Sequence, residues 1–207
     1  PPAIINLTDT CGTFAFDYQS IYSPSGLNPD YTGVMGLNNF DDSWGIWGHN
    51  LRKVLGDNVD KVYATIHGKT DDSQLCFSSE EMYRQIESYI VDNIGEKGSS
   101  RFVIAPDDTP YACTCASCTA MGNTEKNATP AVTELLLRLS QRFPKHSFFT
   151  ISYLSTKQVT DKQLPSNAGI IVSAIDFPLR RIDGKNAQEK KFMQQLNQWK
   201  KVSKNIY

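Results

Sequence analysis

The sequence predicts an α/β protein of the (β/α)8 TIM-barrel-like class, incomplete in this chain, with about five to six strands present. Three kinds of observation predict it. Strand-like apolar runs alternate with amphipathic helix-like segments from Val62 onward, the pattern of right-handed βαβ crossovers and a mostly parallel sheet. Polar residues collect where those strands end, at Asp107-Asp108, at Ser155-Thr156, and at Asp176 with Arg180 and Arg181, as on the catalytic face of a barrel. Neither G-x-G-x-x-G nor a P-loop occurs, so a doubly wound nucleotide-binding sheet lacks its usual signature. A complete barrel takes about 250 residues. This chain has 207 and stops as Asn205-Ile206-Tyr207 starts another strand, so the remainder of the barrel is expected to lie outside it.

Residues 1–55 read as a loop-rich segment and 56–207 as the βα units. Asp17–Asp42 is rich in Tyr, Gly, Asn and Pro and has no sustained periodicity. Val62–His67 (VYATIH) is β-branched and aromatic and stops at Gly68, which predicts a strand. Ser79–Ile94 predicts a helix, capped by Ser78 or Ser79. Glu80 and Glu81 lie in its first turn, and Met82, Ile86, Ile90 and Ile94 recur at every fourth position. Phe102–Ala105 predicts a strand ended by Pro106. Pro130–Phe143 predicts a helix with Val132, Leu135, Leu136 and Leu139 on one stripe. Phe148–Leu154 and Gly169–Ile175 predict strands, and Ala187–Val202 a helix that turns Phe192, Leu196, Trp199 and Val202 inward. His146 precedes a strand at the opposite end and reads as a surface residue.

Composition narrows the partners. The net charge is -1 and no Lys/Arg cluster appears, which argues against nucleic acid. No apolar run reaches the ~20 residues of a membrane span.

The segment Arg101–Cys118, RFVIAPDDTPYACTCASC, carries the chemistry. Asp107 and Asp108 follow a buried strand, where two neighbouring carboxylates repel and one tends to hold its proton. That supplies a general acid beside a charged stabiliser, as glycosidases use. The alternative is a polar turn with an Asx cap. Cys113, Cys115 and Cys118, with Cys76 as the natural fourth, predict a structural zinc site; one or two disulfides or free thiols are the alternatives, and Cys11 could substitute. Trp44 and Trp47 around Gly45, followed by His49, suggest an aromatic sugar platform, although either Trp could fill the core and His49 could cap a helix. His67 would point to the same face of a barrel. Asp176 with Arg180 suggests either an acidic-sugar contact or a salt-bridged loop.

These residues resemble a glycoside-hydrolase-like domain of unknown function, family 4838. The resemblance rests on WGIWGHN, QLCFSSEEM, FVIAPDD with YACTCASC, FFTISYLST and LNQWKKVSKNIY, and covers most of Trp44–Tyr207. It implies a TIM-barrel-like fold related to α-glucuronidase and hexosaminidase barrels, in carbohydrate-processing proteins of polysaccharide-degrading bacteria. A periplasmic or secreted location follows from that setting. The Asp-Asp pair is also similar to the acid pair of some hexosaminidases. The family's acidic residue is usually followed by glycine, whereas this chain continues Asp108-Thr109-Pro110.

The expected function is glycosidic bond hydrolysis on an oligo- or polysaccharide. Asp108 is the expected acid, Asp107 its partner, and Trp44, Trp47, His49, Asp176 and Arg180 the expected sugar contacts. A non-catalytic carbohydrate-binding barrel and a zinc-stabilised scaffold are the competing expectations.

Overall fold

The computed structural model describes residues 18–21, 23–39, 44–56, 59–178 and 184–207. The chain divides into two compact units, Pro1–Phe40 and Asp41–Tyr207. The first holds a 3-10 turn at Ser25–Leu27 and a short helix, α1, at Pro29–Met35. Asn28 caps α1 by accepting the Asp30 N–H, Pro29 opens it, and Gly36 closes it in the left-handed region. A helix this short shows no apolar period, so only its caps signal it in the sequence.

The second unit begins with a hairpin of β1 (Tyr63–Ile66) and β2 (Lys69–Leu75). Its turn residues His67 and Gly68 have φ of 50° and 77°. Positive φ at both positions matches the right-handed twist of the flanking strands. The helix α2 (Glu80–Tyr89) follows, capped by Ser79 and extended by a π-turn at Ile90–Ile94. Then come β3 (Arg101–Val103), a short α3 (Ala116–Ala120) and α4 (Thr129–Arg142). The chain ends with β4 (Ser147–Ser152), β5 (Ala168–Val172), α5 (Ala187–Val202) and β6 (Asn205–Ile206).

Strands β3, β4, β5 and β6 form one sheet in that order, and every pair is parallel. Ile46 bridges Phe102 in parallel and adds one more residue at the β3 edge. Gly45 permits that approach, because a Cβ there would lie 2.4 Å from the Phe102 ring.

The expected (β/α)8-type barrel is therefore corrected to a mixed α/β fold. It has an open four-stranded parallel sheet and a separate antiparallel pair, without closure among the described residues. Two local causes account for the difference. VYATIH turns back at His67-Gly68 and pairs with Lys69–Leu75 instead of joining the parallel sheet. Between β4 and β5 the chain makes only a 3-10 turn at Leu154–Thr156, so no helix layer covers that crossover. Ser155 and Thr156 are buried there, and the Thr156 hydroxyl donates to the carbonyls of Ile151 and Tyr153. The Thr156 hydroxyl thus serves the backbone.

Met82, Ile86 and Ile90 of α2 and Val132, Leu135, Leu136 and Leu139 of α4 pack against Phe102, Ile104 and Phe148. Ala64, Ile66 and Leu75 of the hairpin complete this core. Each such large side chain contributes roughly 1.5–3 kcal/mol on burial. Trp199 of α5 is buried and its indole N–H donates to Ser152 Oγ at 3.0 Å. His146 is not a surface residue. It is fully buried between the Phe102 and Phe143 rings. Its Nδ1 accepts the Ser100 N–H at 3.1 Å and its Nε2 donates to Gly95 O at 2.9 Å, which defines a neutral ring protonated at Nε2.

Candidate functional site

Because the sheet is parallel, the chain leaves β3, β4 and β5 at the same edge, and the segment after Ile46 emerges there too. Ligand sites of open α/β sheets lie outside the carboxyl ends of the strands. Here that edge carries Trp47 and His49, Asp107 and Asp108, Tyr153, and Asp176.

The two aspartates have different surroundings. Asp107 lies 2.6 Å from the Arg52 guanidinium and accepts from Arg52 Nε at 2.7 Å, with its side chain 16% exposed. Arg52 also donates to the Asp72 carbonyl, which ties this pair to the hairpin. Gln74 clamps the same loop from below. Its Oε1 accepts the N–H groups of Asp107 and Leu75, and its Nε2 donates to the carbonyls of Asp107 and Tyr111. Asp108 is exposed and has no ion pair among the described residues. The Tyr153 hydroxyl lies near it and is pushed above its ordinary range by desolvation and then by the Asp108 charge.

His49 lies beside this pair, with its ring 5.9 Å from that of Tyr153. Its Nδ1 donates to the Pro106 carbonyl at 2.5 Å, since a carbonyl only accepts. Leu154, next to Tyr153, has φ 43°, a conformation an L residue with a branched side chain rarely takes. Such strain concentrates at functional sites.

The other expected contacts are scattered. Trp44 is 4% exposed and meets Trp47, Phe149 and Tyr207 edge-on, so its ring packs in the interior. Trp47 is half-buried. Asp176 is exposed and paired with Lys157, which holds its carboxyl below the ordinary range. His67 sits in the hairpin turn, 3.6 Å from Glu125. Arg180, Arg181 and Cys11 lie outside the described residues. Sequence reasoning missed Arg52, Gln74 and Tyr153. Only Tyr153, an aromatic residue at the end of FFTISY, gave a local hint.

The cysteines converge. Cys76 follows β2, Cys113 and Cys115 lie on the loop after β3, and Cys118 lies in α3. No disulfide joins them. Their sulfurs all lie within 4.8 Å of one another, with Cys76 Sγ 3.7 Å from Cys115 and 3.8 Å from Cys118. Four ligands on a tetrahedron at the usual zinc–sulfur distance of about 2.3 Å would be about 3.8 Å apart. Three of the four are buried, and Cys115 is partly exposed.

Protein donors already point at the sulfurs. The Thr65 N–H meets Cys113 Sγ at 3.2 Å and the Cys118 N–H meets Cys115 Sγ at 3.5 Å. Ser78 Oγ lies within hydrogen-bonding distance of Cys76, Cys115 and Cys118. The neighbouring Cys118 and Cys76 groups hold the Cys113 thiol below its ordinary range. Cys76 and Cys118 are pushed up by the same contacts with Cys113. Four thiolates packed this closely could coexist only around a cation. The cluster is an arrangement of four cysteines that could hold a metal ion.

Among the described residues no helix is long and apolar enough to cross a membrane. Residues 50–207 match the family model described as Domain of unknown function (DUF4838). No curated protein and no solved structure matches the chain.

Proposed function

The chain belongs to the DUF4838 family, and we propose that this member is a carbohydrate-active domain, a glycoside hydrolase with Asp108 as its acid and a structural zinc ion on its four cysteines. The observation that carries this reading is the unequal treatment of two adjacent carboxylates at the carboxyl edge of a parallel sheet. Asp107 is held by Arg52 and Gln74, while Asp108 is left open beside Tyr153 and His49. A fixed carboxylate next to a free one is the division of labour that glycosidic cleavage needs.

In this reading Asp108, in its protonated form, donates a proton to the leaving oxygen as the glycosidic C–O bond breaks. A water molecule then adds to the anomeric carbon and returns its proton to the Asp108 carboxylate. Asp107, ion-paired with Arg52, supplies negative charge against the cation that develops on the sugar. His49 Nε2 and the Tyr153 hydroxyl orient substrate hydroxyls, and Trp47 offers an aromatic edge. The zinc ion, held by Cys76, Cys113, Cys115 and Cys118, supplies no chemistry, because four thiolates leave it no open position. Its contribution is to clasp the loop that carries the aspartates, since small misplacements of a reacting group cost large rate factors.

Turnover of an oligosaccharide panel by wild type and Asp108→Asn tests the reading. The variant should lose on the order of a hundredfold or more in kcat while binding the hydrolysed sugar as wild type does. Equal turnover by the two proteins would remove Asp108 from the mechanism, and sugar binding without turnover by wild type would make the domain a binding module. Metal analysis should find one zinc ion per chain, released together with four titratable thiols. A metal-free protein of unchanged thermal stability would count against the structural zinc.

A further inference from the structure

The helix α5 presents an unusual stripe to solvent. Lys191, Gln194, Gln195, Gln198 and Lys201 recur at the three- and four-residue steps that bring side chains onto one helical face. Together with Lys126 and Lys157 this face lines an open groove of about 820 Å³. No aspartate or glutamate is among the described residues that line it. Lys126 and Lys201 have no ion-pair partner among the described residues. In a chain of net charge -1, this concentrates positive charge on one surface.

The groove is continuous with the site edge. Lys157, Lys191 and Gln195 also line a smaller cavity of about 270 Å³, which reaches Ser173 and Asp176 beyond the end of β5. Lys191 to Lys201 is a rise of about 15 Å along the helix, long enough for several linked sugar units.

We propose that this groove is an extended subsite for an anionic polysaccharide, bearing carboxylate or sulfate groups, that leads to the edge carrying Asp108. The inference rests on the carbohydrate reading above and adds the charge class of the substrate. Lys126, Lys191 and Lys201 recognise the acidic groups, while Lys157 is paired with Asp176, and the amides of Gln194 and Gln198 each offer donors and an acceptor to ring hydroxyls. An aromatic platform for stacked bases is absent from the described lining, which favours a saccharide over a single-stranded nucleic acid.

Binding by fluorescence anisotropy tests the proposal, with labelled oligogalacturonate, a chondroitin sulfate oligosaccharide, a neutral cello-oligosaccharide and a single-stranded oligodeoxynucleotide of similar length. At least one anionic saccharide should bind more tightly than the neutral one and weaken as salt is raised. The double variant Lys126→Glu/Lys201→Glu, first checked for an unchanged thermal midpoint, should bind it about tenfold more weakly or worse. Asp108→Asn should bind it as wild type does.

Equal binding of the neutral saccharide, unchanged affinity in the lysine double variant, or oligodeoxynucleotide binding as tight as the saccharide's would each overturn the proposal. Hydrolysis of neutral saccharides alone would spare the hydrolase reading and remove this one. Anionic binding without hydrolysis would do the reverse.

Discussion

At the scale of single residues, the loop after β3 is governed by Gln74. Its amide satisfies two N–H groups and two carbonyls at once from a site that is 1% exposed. Replacing it with leucine preserves bulk but removes the side-chain partner of the Asp107 and Leu75 N–H groups and of the Tyr111 carbonyl, while the Asp107 carbonyl keeps the Thr109 N–H. Each unsatisfied buried group costs on the order of 1–3 kcal/mol, and water recovers some of them. Gln74→Leu should therefore lower stability by about 2–4 kcal/mol in denaturant unfolding. The same change should lower turnover through the placement of Asp108. A loss below 1 kcal/mol would mean that the clamp is weaker than its geometry. The chemistry-bearing residues Asp107, Asp108, Cys113, Cys115 and Cys118 were legible in the sequence because they lie within one short segment. Gln74 and Arg52 were not, because they meet Asp107 across 33 and 55 residues, and no local pattern encodes such a meeting.

Among the elements, α2 and α4 are joined at the surface by charge. Arg138 pairs in bidentate fashion with Glu80, and Arg142 bridges Glu87 and Glu96. Hydrogen bonding from Arg138 holds the Glu80 carboxyl below its ordinary 4.5. A carboxylate depressed on folding contributes in full above its unfolded value and loses that contribution as pH falls through its folded one. Arg138→Gln should thus be less stable than wild type at neutral pH, and the two melting curves should converge on the acid side of 4.5. A gap that persists at low pH would assign the effect to the stacking of Arg138 over the Tyr83 ring. Both helices were readable from their apolar periods and caps, as was α5. The strand β2 was not: KTDDSQL has no alternation, and it becomes a strand only because the turn at His67-Gly68 delivers it to β1. That hairpin is one of the two places where the chain departs from the barrel pattern, since VYATIH pairs with β2 instead of joining the parallel sheet.

Across the whole molecule, the sheet lines up the ends of β3, β4 and β5, and the cysteine cluster anchors the loop between them and the hairpin. Strand order and edge identity were not legible, because pairing partners are set by packing of distant faces rather than by local composition. The cluster has a consequence for how the molecule opens. Cys76 and Cys115 are 39 residues apart in the chain, and the segment between them contains α2 and β3. A metal ion there acts as a cross-link, and a closed loop of this length removes unfolded-state entropy worth about 4 kcal/mol. The ring so formed should behave as one cooperative opening unit. Amide hydrogen exchange with and without chelator should show α2 and β3 losing protection together, while α5 and β6, outside the ring, keep theirs. The ion would then decide which part of the protein breathes as a single piece.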